Sequence, residues 1–206
     1  LEFIDKYFKK IGFLTTPWDI VSTPLRLCFS NHLNAESRIK ILCNHYEILE
    51  EFLPHPVIHD LMLGKAISLA NIVGKDGQEY EFDLSYSGRW RREGMLTVIM
   101  RDKGHDNLVM TSMTFIFYKN GNSNALLIGG LQGISDLDNG KSAIVKSTRN
   151  LNGLRPKYAV LNCVYAIAKC FDVKEIVATS EKNHPVKLTN KRRNRSFFAE
   201  YNIFWQ

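Results

Sequence analysis

Three side chains are of types that transfer protons in many enzymes, and two of them lie near the ends of predicted strands. Glu93 precedes a strongly apolar strand, where a carboxylate can lie at the mouth of a sheet and act as a general base. An ion pair with Arg91 or Arg92 is the alternative role for Glu93, and the sequence favours that pairing. His184 follows the last predicted strand, and Tyr201 lies near the end of the chain. We therefore take Glu93, His184 and Tyr201 as the candidate catalytic residues.

Positive charge is concentrated at residues 148–157, the junction of two predicted helices. Pro156 opens the second helix, and cations at a helix N-terminus oppose the helix dipole unless an anion lies nearby. The segment therefore predicts an anion-binding site, with solvated surface charge as the alternative. The residues expected to hold the anion are Thr148, Arg149, Gly153, Arg155 and Lys157.

A glycine-rich stretch, residues 129–133, ends a predicted strand. Its backbone amides could approach a ligand closely, but the spacing fits neither a dinucleotide-binding fingerprint nor a P-loop. Tight strand packing followed by a turn explains the glycines equally well. Gly129, Gln132 and Gly133 are the candidate ligand-binding residues of this stretch. Arg91 and Arg92, which precede Glu93, are two further candidates.

The sequence predicts no metal site. His55 and His59 are four residues apart and precede Asp60, which could suggest zinc, but Pro54 and Pro56 are expected to break the helix that such spacing requires. The chain also lacks a Ser-His-Asp order or paired carboxylates that would indicate a hydrolase.

Composition allows one domain with a sizeable core, because 45% of the 206 residues are hydrophobic. The net charge of +6 suits an anionic ligand, a nucleic acid or an anionic lipid surface. The chain has no apolar segment long enough to span a bilayer, and we expect a cytoplasmic location, with peripheral membrane association as an alternative. The four cysteines form no C-x-x-C pair and are expected to be buried free thiols. Oligomeric state is left open.

Hydrophobic periodicity predicts an α+β fold in three parts. Residues 1–60 form a helical front with Asn34 as the cap of its longest helix, and residues 64–131 form an antiparallel meander. In residues 132–206 two helices precede one more strand, which requires a crossover and a parallel strand pair. A basic run and then aromatic residues follow at 187–205; we favour docking of this segment on the core over a nucleic-acid surface.

Five short motifs in this order resemble the VirK/YbjX family of bacterial proteins. They are R-R-E-G before a strand, I-G-G-L-Q-G at a strand end, T-R-x-L-x-G-L-R-P-K before a helix, N-H after the next strand, and A-E-Y-N-x-F-W near the end. The resemblance covers about Phe13 to Trp205. The sequence departs from the family pattern at Arg149, where Lys is expected, and at Asn202, where Asp is expected.

The resemblance implies a role in surface-related virulence functions of Gram-negative bacteria, including tolerance of cationic antimicrobial peptides. One hypothesis is an acyl- or aminoacyl-transferase of acetyltransferase-like architecture, with coenzyme A or another acyl carrier bound through its phosphates at a helix N-terminus. The acetyltransferase loop R-x-x-G-x-G/A is only partly present after Arg149, and the short helix before it is unexpected. The alternative is a non-enzymatic module whose basic surface binds nucleic acid, anionic lipid or a protein partner.

Overall fold

Residues 2–134 and 140–185 are described by the computed structural model of the chain. Its helices are α1 (Glu2–Lys10), α2 (Trp18–Ser22), α3 (Ala35–Phe52), α4 (His55–Met62), α5 (Gly140–Asn150) and α6 (Pro156–Cys170), with single 3-10 turns at Thr23–Leu25, Gly88–Trp90 and Glu181–Asn183. The Asn34 side chain accepts a hydrogen bond of 2.8 Å from the backbone amide of Ser37, so the predicted cap of α3 is confirmed.

Six strands form one mixed sheet in the order in which they occur along the chain. The strands are β1 (Ile67–Val73), β2 (Glu79–Tyr86), β3 (Leu96–Asp102), β4 (Leu108–Asn120), β5 (Ser123–Gly133) and β6 (Val173–Ala178). Successive strands from β1 to β5 pair antiparallel, and β6 pairs parallel with β5 after the crossover through α5 and α6. The α+β fold with a helical front, an antiparallel meander and a C-terminal crossover is thus confirmed.

One face of the sheet is apolar and carries the long helices. The side chains aligned across β2 to β5 on this face are Leu84, Val98, Met113 and Leu131. Phe117 of β4 stacks at 4.5 Å on Phe171, the residue after α6, and Phe171 lies 5.3 Å from Phe52 of α3. These ring contacts join α3 and α6 to the sheet and to each other.

The opposite face of the central strands is polar. The side chains aligned across β2 to β5 on that face are Asp83, Ile99, Ser112 and Gln132. Next to this row, the hydroxyls of Thr97 and Thr114 lie 3.1 Å apart. Because side chains alternate along a strand, Leu131 and Gln132 point to opposite sides of β5.

The end of β5 departs from regular pairing at Gly129. Thr114 pairs with Gly130 and Phe115 with Ile128, so Gly129 is an extra residue that makes a β-bulge. On its other edge β5 pairs with β6 only as far as Ile128, whose carbonyl accepts a final hydrogen bond from Thr179. The strand β6 ends at Ala178, opposite Ile128, so beyond that point β5 is paired with β4 alone, and His184 lies beside Gly129.

Two expectations about individual helices are wrong. Pro56 does not break the helix at His55, since α4 begins there and proline is tolerated in a first helical turn. His55 and His59 therefore share α4, although His55 pairs with Glu50 at 3.1 Å and the His59 ring packs 4.8 Å from that of Phe13. Within residues 2–134 and 140–185, no cluster of three potential metal ligands is present.

The outer face of α6 also differs from expectation. Cys170 is exposed although the cysteines were expected to be buried, and Tyr165 of the same helix is 49% exposed. The reason is that Val164, Ile167 and Ala168 take the buried face, which turns Tyr165 and Cys170 outward. No helix among the described residues is long and apolar enough to cross a membrane.

We expect Gly129→Ala to destabilise the fold. A Cβ at position 129 would lie 1.7 Å from the backbone carbonyl oxygen of Glu93, and backbone atoms cannot easily move aside. The free energy of unfolding, measured by chemical denaturation, should fall by about 1–3 kcal/mol. Gly133→Ala in the same strand is the control, because a Cβ there meets nothing within 4 Å, and it should cost less than about 0.5 kcal/mol. Equal losses in both variants would contradict the close packing of Glu93 on Gly129.

Candidate functional site

Glu93 is buried against the bulge of β5. The 3-10 turn at Gly88–Trp90 brings it there, and its amide donates a 2.7 Å hydrogen bond to the carbonyl of Trp90. The side chain of Gln132 donates to both carboxylate oxygens, at 3.3 and 3.1 Å. Glu93 is only 6% exposed, and its carboxylate occupies the space that a Cβ at Gly130 would need. A carboxylate thus lies on the polar face of β5, just beyond the point where the pairing of β5 with β6 ends.

His184 reaches the same place from the other end of the chain. Its Nε2 lies 3.6 Å from Oε1 of Glu93, the ring is fully buried, and it makes a hydrogen bond with the backbone of Gly129. The segment before it is held by the loop that precedes α3, because Asn31 donates to the carbonyls of Asn183 at 3.0 Å and Lys182 at 2.8 Å. The fold therefore brings together two of the predicted proton-transfer residues, which are 91 positions apart in the sequence.

The expected ion pair of Glu93 with Arg91 or Arg92 is not formed. Arg92 instead donates to the carbonyls of Leu27 at 2.8 Å and Pro185 at 3.1 Å, and its charge still acts on Glu93 from there. Arg91 turns back to the carbonyl of Gly88 at 3.2 Å. The 3-10 turn at residues 88–90 imposes these directions, so Arg92 ties three segments together around the site. Ligand binding by Arg91 and Arg92 stays a prediction.

The environment shifts the pKa values of the two acid–base groups in opposite directions. Burial raises the pKa of Glu93 to about 7, opposed by the hydrogen bond from Gln132 and by the charge of Arg92. Burial lowers the pKa of His184 to about 4, assisted by the charge of Arg92 and opposed by the hydrogen bond with Gly129. At neutral pH the carboxyl group is near its titration point and the imidazole is neutral, which suits Glu93 to proton transfer.

A cavity of about 600 Å³ lies on the other face of β5. Apolar side chains from β4, β5 and α5 form one wall, and cations at the start of α6 form the rim. The residues lining it are Met110, Thr111, Leu131, Gly133, Ile144, Val145, Thr148, Arg149, Arg155, Pro156 and Lys157. Its size is in the range of small-molecule sites, and its combination of apolar wall and charged rim fits a ligand with an apolar arm and an anionic group.

The rim is built at the connection between α5 and α6. Gly153 has a φ of 90°, and its amide donates to the carbonyl of Thr148 at 2.8 Å, which ends α5 as predicted. Arg155 is the N-cap of α6, and within the described chain its side chain makes no cap hydrogen bond. Arg149 and Arg155 are both exposed, so their guanidinium groups are available to an anion at the N-terminus of α6.

The structure divides the predicted residues into two groups on opposite sides of β5. Gly129 and Gln132 lie with Glu93 and His184, whereas Gly133, Thr148, Arg149, Arg155 and Lys157 line the cavity, and Gly153 shapes the connection between the helices. Tyr201 and the segment with the basic run and aromatic residues lie outside the described residues.

Sequence reasoning missed residues whose role depends on cross-strand neighbours. Ser112 is 1% exposed, and within residues 2–134 and 140–185 its hydroxyl has no hydrogen-bond partner. It pairs with Gln132 across β4 and β5 and so belongs to the polar face beside Glu93. A polar residue within the apolar run of β4 was the available signal.

We expect Glu93→Gln to change the pH dependence of stability. The folded protein keeps the carboxyl proton up to about pH 7, whereas the ordinary pKa of an exposed Glu is 4.5. This proton stabilises the folded state fully below pH 4.5, and the contribution is lost as the pH rises through 7. The difference in free energy of unfolding, wild type minus variant, should therefore fall by roughly 3 kcal/mol across this window. Denaturant titrations of wild type and variant at a series of pH values measure this difference.

Glu50→Gln is the control with the opposite sign. The hydrogen bond from Lys10 lowers the pKa of Glu50, so its stabilising contribution is lost as the pH falls. The difference between wild type and this variant should rise with pH. If the difference in free energy of unfolding between wild type and Glu93→Gln did not change with pH, the Glu93 carboxyl group would be solvated.

Comparison with known proteins gives the family of this chain. The chain is 24% identical over 176 residues to the uncharacterized protein YbjX of Escherichia coli (strain K12). This match covers 85% of this chain and 52% of YbjX. It is 23% identical over 206 residues to an uncharacterized protein of Haemophilus influenzae (strain ATCC 51907 / DSM 11121 / KW20 / Rd), covering 100% of this chain and 66% of that protein. The chain thus spans between half and two thirds of the length of these relatives.

No solved structure matches the chain at a significant level. The family described as "Protein of unknown function (DUF535)" matches it over residues 2–206. This is the family of YbjX and VirK, so the resemblance drawn from the short motifs is confirmed. The chain belongs to the DUF535 family.

Proposed function

We propose that the chain is an acyl- or aminoacyl-transferase that binds a phosphate-bearing acyl carrier in the cavity beside α6 and uses Glu93 for proton transfer. The observation that carries this proposal is the end of β5. Leu131 lines the cavity on one side of the strand, and Gln132 holds the buried carboxylate of Glu93 on the other. The pairing of β5 with β6 ends at the same point, and His184 lies there beside Gly129.

The sheet order supports this class of enzyme. An antiparallel meander, a helical crossover and a parallel strand that ends beside the bulge of its neighbour resemble the acetyltransferase architecture, in which the carrier's pyrophosphate lies at the N-terminus of the helix after the splayed strand. Here that helix is α6, and the rim cations Arg149, Arg155 and Lys157 surround its first turn. The additional helix α5 before this junction is a departure from that architecture.

Glu93 is suited to activate the acceptor. In the transfer step the acceptor's O–H or N–H gives its proton to the Glu93 carboxylate, and the acceptor atom bonds to the acyl carbon. The bond between that carbon and the carrier then breaks, and the carrier's leaving atom takes a proton. A base whose pKa is about 7 can both accept and return a proton at neutral pH. Acyl transfer to an envelope component or its precursor would fit the surface-related role that the family resemblance implies.

Arg155→Ala should weaken carrier binding without unfolding the protein. Its exposed guanidinium group lies at the cavity rim, so we expect the affinity for coenzyme A or acetyl coenzyme A to fall by about tenfold or more while the melting temperature is unchanged. Calorimetric titration and thermal shift measure the two quantities. Arg26→Ala, an exposed arginine outside the cavity, is the matched control. Absence of saturable binding in the wild type, or equal binding by both variants, would contradict the carrier site.

Glu93→Gln should separate transfer from binding. The variant keeps the cavity and should bind acetyl coenzyme A as the wild type does. Transfer of the acetyl group to water or to an added amine, measured by the free thiol that it releases, should slow by about a hundredfold or more. The wild-type rate should rise with pH through about 7, and this rise should disappear in the variant. Asp83→Asn removes another buried carboxylate from the same face of the sheet and should leave the rate unchanged. Full activity of Glu93→Gln would exclude Glu93 as the base.

A further inference from the structure

A second groove lies along α5 and adjoins the cavity. It has a volume of about 650 Å³ and shares Val145 and Arg149 with the cavity. Its charged lining consists of Lys75, Lys141, Lys146 and Arg149 against the single carboxylate of Asp76. The cations of the groove continue into the cavity rim through Arg149, so one positively charged strip passes along α5 to the start of α6.

The cations of this groove lack carboxylate partners among the residues that the structure describes. Within residues 2–134 and 140–185, Lys75, Lys141, Lys146 and Arg149 form no direct ion pair with a carboxylate, although the hydrogen bond from Gln78 and, to a smaller extent, the charge of Lys146 lower the pKa of Asp76. Elsewhere lysines are paired, as the bonds of Lys65 to Asp60 at 2.8 Å, Lys103 to Glu81 at 3.0 Å and Lys119 to Glu51 at 3.5 Å show. Asp76 already accepts a 3.0 Å hydrogen bond from the amide of Gln78. Like charges held together in this way favour a polyanionic ligand.

Buried contacts fix the shape of the groove. Asn150, the last residue of α5, is 6% exposed and accepts hydrogen bonds from the amides of Lys75 at 3.1 Å and Asp76 at 3.0 Å. Its side chain donates to the hydroxyl of Tyr80 at 3.1 Å, and Gly74 packs directly against it. The turn between β1 and β2 is thereby attached to α5, which holds Lys75 opposite the cations of the helix.

The length of the strip fits a nucleic-acid backbone. Lys141 and Arg149 are eight residues apart on α5, which corresponds to roughly 12 Å along the helix axis. One strand of a duplex advances by about 3.4 Å per phosphate, so this distance spans about three phosphates before the strip reaches Arg155. Coenzyme A has three phosphates, two of them in one pyrophosphate, so when these bind the rim cations none is left for Lys141 and Lys146, whereas an RNA backbone continues with one phosphate per nucleotide.

We propose that the acyl carrier of this protein is an RNA, whose backbone phosphates bind in the groove along α5 while its acylated 3′ end enters the cavity. This inference rests on the proposed function and names the substrate class of the same site. Acyl coenzyme A, like the acylated 3′ end of an RNA, combines a phosphorylated nucleoside with an acyl group. It therefore acts as a smaller analogue of the RNA end.

The test uses a short RNA hairpin with a single-stranded 3′ end, titrated by fluorescence anisotropy at a series of salt concentrations. The Lys141→Gln/Lys146→Gln variant should lose about tenfold or more in RNA affinity, and the slope of log affinity against log salt should decrease by roughly 1.5. The same variant should bind coenzyme A as the wild type does. Lys40→Gln/Lys169→Gln removes two exposed lysines outside the groove and should bind RNA normally.

Each other outcome overturns a defined part of the proposal. If RNA does not bind, or if the two double variants bind it equally, the RNA inference is wrong, while loss of coenzyme A binding in Arg155→Ala would leave the transferase proposal intact. If RNA binding depends on the groove but coenzyme A does not bind and Arg155→Ala has no effect, the transferase proposal fails and a binding module remains. Groove-dependent binding to phosphatidylglycerol vesicles without RNA binding would assign the groove to a membrane surface instead.

Discussion

The close approach of Glu93 to the bulge of β5 is the contact on which the candidate site depends. Gly129 leaves space for the Glu93 carbonyl and Gly130 leaves space for its carboxylate, because a Cβ at either position would lie within 2 Å of a Glu93 oxygen. The strand β6 ends at Ala178, which pairs with Ile128 just before the bulge, and the carboxylate is buried beyond that point. The two glycines therefore determine the position of the acid and the raised pKa that its burial produces.

β5 also connects the two halves of the site. Its alternating side chains place Leu131 in the cavity wall and Gln132 beneath the carboxylate of Glu93. The crossover through α5 and α6 returns the chain to the edge of β5, so the cationic start of α6 and the buried His184 both lie at the end of this strand. One strand end thus holds a cationic rim on the helix face and an acid–base pair on the polar face.

Charge is distributed differently around Glu93 and along the groove of α5. Glu93 and His184 are buried, and the charge of Arg92 favours the ionised carboxylate and the neutral imidazole. The guanidinium group of Arg92 meanwhile donates hydrogen bonds to backbone carbonyls. Around α5 the cations line an open groove and form no direct ion pair with a carboxylate among the described residues, and Asn150 fixes the turn that carries Lys75. Cations without such ion pairs favour binding of a large anion, and a buried carboxyl group with a pKa of about 7 favours proton transfer.

The sequence by itself determined the order and types of most elements, because local signals specify them. The alternation in residues 79–86, the cap at Asn34 and the proline at the start of α6 each depend on neighbouring residues and correspond to observed elements. The same local signals identified Glu93, His184 and the cations at residues 149–157 as candidates. The local signal was misleading at α4, where Pro56 predicted a break in the helix but lies in its first turn.

Only the tertiary structure decided which of these residues meet. Glu93 and His184 come together through the bulge of β5 and the parallel return of β6, and neither long-range pairing is encoded in a local pattern. The directions of Arg91 and Arg92 depend on a 3-10 turn and on carbonyls distant in sequence, so the expected ion pair with Glu93 was wrong. The groove along α5 required Lys75 from the hairpin of β1 and β2 to lie opposite the helix. Burial, pKa and charge clustering depend on such distant neighbours, which are set by packing of the whole chain.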